Sequence, residues 1–240
     1  MGHKPYVTAK LCHLQYPSIA TPRFQYNNLE KLMKALNKIT IPLLTTLALS
    51  LAMSPNALAQ DLDLGPLAPL IGKWKTVDDG VDMAPGRTDS DVGEGGPAVE
   101  PFYETRTFEV AATAVNASDQ SLTAVYYKAE VFRRRDDAKF HDQRGYLLYD
   151  KKNNMVYNTF CVPRGVCVVA EGEAGSQMSL AAPDRGIGES TYMSENATTT
   201  SFSMSMDISP DTFTYTQTTG LNIYGKDFPH TDSATLEKLP

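Results

Sequence analysis

Hydrophobic and polar positions alternate along most of the chain beyond residue 100. The clearest run is "SFSMSMDIS", which puts Phe202, Met204, Met206 and Ile208 on one face and Ser and Asp on the other, the period of a half-buried strand. "SLTAVYYKAEVFRR" does the same with Val125, Tyr127, Ala129 and Val131. "FYETRTFEVAA", "GYLLYD", "MVYNTFCV", "GVCVVAEGEA", "QMSLAAPD" and "FTYTQTTGLNIYG" read as further strands, with DKKNN and SPDT among the turns between them. The helical period surfaces only in "LGPLAPLIGKW", where Pro66 suits a first turn and Leu67, Leu70 and Ile71 share a face. The pattern predicts an all-β fold: an antiparallel up-and-down β-barrel of about ten strands with a short N-terminal helix. A barrel of roughly eight to ten strands holds side chains or one small ligand. Inward Met, Phe and Tyr suit a small apolar molecule, although each stripe taken singly reads first as core.

Two stretches break the alternation. "DDGVDMAPGRTDSDVGEGGPAVEP", residues 78–101, is rich in Gly, Asp and Pro and reads as one long acidic loop. It lacks the spacing of a calcium-binding loop; a loop of that length in a compact domain is often a lid or binding loop. The second stretch is N-terminal. From Met33 the chain runs through Lys34 and Lys38, an apolar segment Ile39–Met53, and Ala57-Leu58-Ala59. That is the order of a secretory signal peptide cut after Ala59, with Met33 as the expected true start. An uncleaved anchor is the rival reading, but the segment is short for a membrane span and carries Pro42 and Pro55 at its edges. The expected organisation is therefore a leader, 1–59, and one β-barrel domain, 60–240, in a periplasmic or secreted protein with no stable membrane span.

Charge supports this division. The whole chain carries a formal −6. The leader takes six basic and one acidic residue with it, which leaves −11. Such a surface does not suit nucleic acid. The leader also takes Cys12 and leaves Cys161 and Cys167 flanking "VPRGV". Two cysteines in an exported chain permit a disulfide across that turn; two separate buried thiols on a strand are the other reading.

No nucleophile elbow, zinc-protease helix, Walker loop or dinucleotide fingerprint is present. Four histidines occur in the chain, and His3 and His13 fall in the leader. Only His141 and His230 remain, too few to supply a convincing Ser-His-Asp set. His230 follows Pro229 beyond the last long strand, at an expected corner of the barrel rim. A turn has no special use for His. A neutral imidazole is the common axial ligand of haem iron, whereas an exposed or capping His is the plain alternative. Asp232 or a backbone carbonyl would then hold the other ring nitrogen, opposite an apolar distal side.

From about Leu64 to Leu239 the chain resembles the nitrobindin-type haem-binding β-barrels, relatives in fold of the fatty-acid-binding proteins. The likeness rests on "LGPLAPLIGKW", "PFYETRTFE", "FHDQRGYLLYD", "VPRGV" and "IYGKDFPHTDSATLEKL". It implies ferric haem b, with His230 as the axial iron ligand. Gly72, Trp74, His141, Tyr146 and Arg164 fall in the matching segments and, with Thr76 at the entry motif, are the implied cofactor contacts. The implied activity is reaction with nitric oxide and isomerisation of peroxynitrite to nitrate. The alternative is a carrier of a small apolar ligand without haem. One departure stands out: where the family has GxWxGxG, this chain keeps Gly72 and Trp74 but carries Thr76 and Asp78. Edge strands and Met-rich faces leave room for a homodimer.

Overall fold

The computed structural model describes residues 62–115 and 120–240. The leader and the Met33 start lie outside the described residues. The order is a 3-10 helix (Gly65–Leu70), then β1 (Gly72–Thr76), β2 (Gly80–Pro85), β3 (Pro97–Val115), β4 (Ser121–Arg133), β5 (Lys139–Asp150), β6 (Met155–Val162), β7 (Val166–Glu173), β8 (Gln177–Ala181) and β9 (Ile187–Glu189). There follow α1 (Thr191–Asn196), β10 (Ala197–Ile208), β11 (Thr212–Ile223) and β12 (Lys226–Lys238). Neighbouring strands pair antiparallel, and the sheet closes on itself. Closure is made by two short strands. β1 and β2 both lie between β3 and β12 and together form one interrupted stave: Trp74 pairs with Lys238 and Arg106, and further along Asp82 pairs with Asp232 and Glu100. The result is a closed antiparallel barrel of ten staves, with β9 an extra strand on β7, as the alternation predicts. Among the described residues no helix is long and apolar enough to cross a membrane.

The stripes read from the sequence point inward. Val125, Tyr127, Ala129 and Val131 on β4 are buried, as are Phe202, Met204, Met206 and Ile208 on β10. At one end the interior is packed by Trp74, Phe108 and Phe213, edge to face with ring centroids 5.9–6.4 Å apart. The 3-10 helix buries Leu67 and Leu70 against this end, and its Leu70 carbonyl accepts a 2.7 Å hydrogen bond from Trp74 Nε1. Pro66 and Pro69 hold that segment to two tight turns, as proline fixes φ and removes donors.

Residues 78–101 are not one loop. Gly80–Pro85 is a strand paired with 97–102, and only 86–96 connects them. The sequence hides β2 because its inward positions are Gly80, Asp82 and Ala84. The glycine is forced, since a Cβ there would fall 2.3 Å from the Phe102 ring, and the aspartate is inside for an electrostatic reason given below. His230 is likewise not at a corner. It lies within β12, paired with Thr219, while the turn is Tyr224-Gly225. Both turn residues take positive φ, 53° and 76°, the two-residue turn whose twist matches a hairpin.

Cys161 and Cys167 are cross-strand partners on β6 and β7, joined as a disulfide with Cα atoms 4.1 Å apart. The bond staples the short turn that presents Arg164.

Candidate functional site

At the end of the barrel away from the 3-10 helix, the inner face turns polar. A partly open cavity of about 220 Å³ lies there, lined from β2, β3, β4, β5, β11, β12 and the β6–β7 turn. The strand register builds its floor. Asp82 on β2 is the direct partner of Asp232 on β12, and Asp232 is the direct partner of Gln217 on β11. Three polar side chains thus stand in a row across three strands on one inner face. Like charges directly opposite each other destabilise a sheet. His230, two residues before Asp232 and so on the same face, resolves this. Its Nε2–H donates to Asp82 Oδ1 at 2.8 Å and lies 3.4 Å from Asp232 Oδ1. Gln217 Nε2 donates to Asp232 Oδ2 at 2.9 Å.

The electrostatics follow. Burial by itself would favour the neutral imidazole, but the hydrogen bonds from Asp232 and Asp82 hold its proton and push His230 up to about 10. Burial also raises Asp82, with His230 opposing. Burial works against the ionised form of Asp232, but the hydrogen bonds from His230 and Gln217 prevail and hold it below the usual range. Gln217 Oε1, in contrast, is buried and has no partner.

Two further polar chains run inward from the cavity. Arg106 Nε donates to Glu104 Oε2 at 2.8 Å, both side chains being almost wholly out of solvent, and the guanidinium lies over the Tyr215 ring, 4.0 Å from its centroid. Burial would lower the Arg106 pKa, but the Glu104 charge beside it more than compensates. On the other wall His141 Nε2 lies 3.4 Å from Gln143 Oε1, Gln143 Nε2 donates to Tyr127 Oη at 2.6 Å, and Tyr127 Oη donates to Asn158 Oδ1 at 2.9 Å. Burial pushes the Tyr127 phenol up to about 12.

Of the residues singled out from the sequence, the structure brings His230, His141 and Arg164 to this cavity. It places Gly72 and Trp74 elsewhere. Trp74 is core beside the 3-10 helix, and Gly72 lies against the Lys238 side chain. Thr76 sits at the break between β1 and β2. Its Oγ1 donates to the Glu104 carbonyl at 3.3 Å and accepts from the Glu104 amide at 2.8 Å, so it replaces ladder bonds that the interrupted stave cannot make. Tyr146 projects outward, 46% exposed, against Tyr126. The wall around His230 is not apolar, since carboxylates and amides face it. The Met stripe of β10 is packed core, as Met204 and Met206 are buried away from this cavity. The sequence points to Asp232 or a backbone carbonyl as the partner of His230; it does not point to Asp82 or Gln217. Their signal in the sequence is slight: a lone Asp in a Gly/Ala alternation, and a Gln in a Thr-rich strand.

A family model described as a THAP4-like, heme-binding beta-barrel domain matches residues 63–238. Among solved structures, the crystal structure of Rv2717c from M. tuberculosis is similar, with a TM-score of 0.52 at 19% identity over 74% of this chain and 100% of that chain. At that identity the likeness is one of fold. No curated protein matches the chain.

Proposed function

The chain belongs to the family of THAP4-like haem-binding β-barrels, and from that premise we propose that it binds haem b at the mouth cavity with His230 as the iron ligand. The observation that carries this reading is that, of the two imidazoles lining the cavity, His230 is the one held by carboxylates. The protonated ring must give up one proton to ligate: with Nε2–H kept on Asp82, the deprotonated Nδ1 would hold the metal, and a carboxylate on the second nitrogen is the usual way a ligating histidine is oriented. Phe102, Ala129 and Val131 give the cavity an apolar side. Arg164 offers a cation at the rim for the acidic edge of the macrocycle.

The chemistry of these residues fits the group; the cavity volume is smaller than it needs. About 220 Å³ lies below the ~300–1,000 Å³ of ordinary ligand pockets. Loading therefore requires the mouth to widen, and Phe140 and Arg164, the exposed lining residues, are where it gives. Bound ferric haem supplies reactivity towards nitric oxide, and isomerisation of peroxynitrite to nitrate is the finer part of the proposal. In that reaction Asp82 fixes the His230 ring, and Arg164 draws an anionic oxidant to the rim. A carrier of apolar ligands is less well supported, because the deep wall is carboxylate and amide rather than hydrocarbon.

Hemin titration of the purified protein tests the reading. Wild type should develop a Soret band that His230→Ala loses while the far-UV circular dichroism of the barrel persists, and His141→Ala should keep it. Equal hemin binding by wild type and His230→Ala overturns the assignment. We propose export as well, supported by the leader pattern and by a disulfide of the kind kept in oxidising compartments. Mature protein from its host should begin at Gln60; an intact leader on soluble protein would refute it.

A further inference from the structure

We propose that Asp82, Asp232 and His230, with the Gln217 amide oxygen, form a binding site for a divalent first-row transition-metal ion in the haem-free barrel. The first observation is the donor set. One ligand atom from each of Asp82, His230 and Asp232 lies within 4.8 Å of the others. The imidazole nitrogen is already 2.8 Å and 3.4 Å from the two carboxylate oxygens. Nitrogen and oxygen donors at about 2.0–2.2 Å from a tetrahedral zinc lie roughly 3.3–3.6 Å from one another. The cluster needs only small side-chain shifts to take an ion at its centre, and the cross-strand register holds all three backbones in place.

The second observation is independent of the first. Gln217 is 7% exposed, it lines the same cavity, and its Oε1 is buried with no partner. A buried acceptor left unpaired costs about 1–3 kcal/mol. The same side chain stands beside Asp232, to which its Nε2 donates, so the region holds acceptors in excess of donors. A cation is the species that satisfies such a surplus. Two carboxylates and a neutral imidazole also carry −2 between them, the charge that balances a divalent ion. Without metal, the imidazole proton fills that role in part.

Ligand type narrows the ion. Carboxylates and an amide suit hard cations, and the imidazole shifts the preference towards manganese, iron, cobalt or zinc and away from magnesium and calcium, while the absence of sulfur excludes copper(I). This site shares His230 with the proposed haem site but does not depend on haem being the ligand. The ion would take Nε2 and so displace the Asp82 hydrogen bond that orients the ring for haem, which sets the two occupants in competition.

Cobalt(II) and zinc titrations of haem-free protein test the proposal. Wild type should bind one equivalent of Co2+, seen as visible d–d absorption that Zn2+ abolishes. Asp82→Asn should weaken Zn2+ binding by at least about 100-fold in calorimetry and Gln217→Leu by about tenfold, with far-UV circular dichroism checking that each variant is folded. Excess Zn2+ should suppress hemin uptake by wild type. The proposal is overturned if folded wild type shows no Co2+ absorption, or if Asp82→Asn binds Zn2+ as wild type does. Metal binding without hemin binding would refute the haem reading alone, and hemin binding without metal binding would refute this inference alone.

Discussion

The two ends of the barrel solve the same packing problem with opposite chemistry. At the end covered by the 3-10 helix, Trp74, Phe108 and Phe213 fill the lumen, and the one polar atom among them, Trp74 Nε1, is satisfied by Leu70. At the mouth the same inward positions carry Glu104, Arg106, Asp82, Asp232 and His230. β3 shows the change within one strand, whose inner face reads Phe102, Glu104, Arg106, Phe108. Hydrophobic packing rewards any group of about the right size. Buried charge is tolerated only when every partner is in place. The packed end therefore carries stability, and the mouth holds a costly arrangement that a ligand can complete.

The largest expected effect breaks the packed end. Trp74→Ala removes a fully buried side chain and orphans the Leu70 carbonyl, and should cost about 5 kcal/mol in denaturant unfolding. Where the variant still folds, it should leave the mouth cluster's ligand binding unchanged. A cost below about 2 kcal/mol would show that the aromatic plug is not the main support.

Arg106→Met comes next. It leaves Glu104 buried and unpaired and should cost about 3–4 kcal/mol, most of which Glu104→Leu in the same chain should restore. The comparison between the ends is wrong if the double variant is no more stable than the single one.

The third prediction concerns pH. The folded chain holds the Tyr127 proton up to about 12, whereas an unfolded tyrosine releases it near 10. The unfolded state thus binds fewer protons above pH 10. Stability present below that pH should fall as it rises towards 12, by roughly 2–3 kcal/mol in all. Tyr127→Phe should remove most of that slope; an unchanged slope would assign the alkaline loss to other groups.

The smallest effect is at the stapled hairpin. Reduction of Cys161–Cys167 releases a short loop and should cost about 2 kcal/mol in the chain-entropy model, read as a drop in Tm. A loss at or above that of Arg106→Met would mean that the staple supports more than its own turn.

Much of the fold is legible in the sequence because period two survives wherever the lumen is apolar. β4 and β10 can be read residue by residue. Legibility fails where the lumen turns polar. Asp82 inside β2 looks like a loop acid, and His230 inside β12 looks like a rim residue. Both are interior because each supplies the other's partner, from strands 148 residues apart, which no local window contains. β9 and α1 are missed for a different reason: at three and six residues they are shorter than any period that would reveal them. Tyr146 illustrates the reverse error. It lies in a segment that resembles the family, but one step of alternation puts it on the outer wall.

The divided stave has a kinetic consequence. A barrel closed by one long strand opens only by breaking its whole seam, but here the seam comes in two pieces. β1 is anchored by Trp74 and the plug. β1 and β2 each meet β12 over three residue pairs, but β2 turns only Gly80, Asp82 and Ala84 inward, and beyond it lies the glycine-bearing connection 86–96. Local opening draws on the element with the least buried apolar packing. The β2 amides should therefore exchange with solvent well before those of β1, and each such opening lifts Asp82 away from His230. Cargo held at the mouth would leave at the rate at which this half-stave lifts, while the rest of the barrel remains closed.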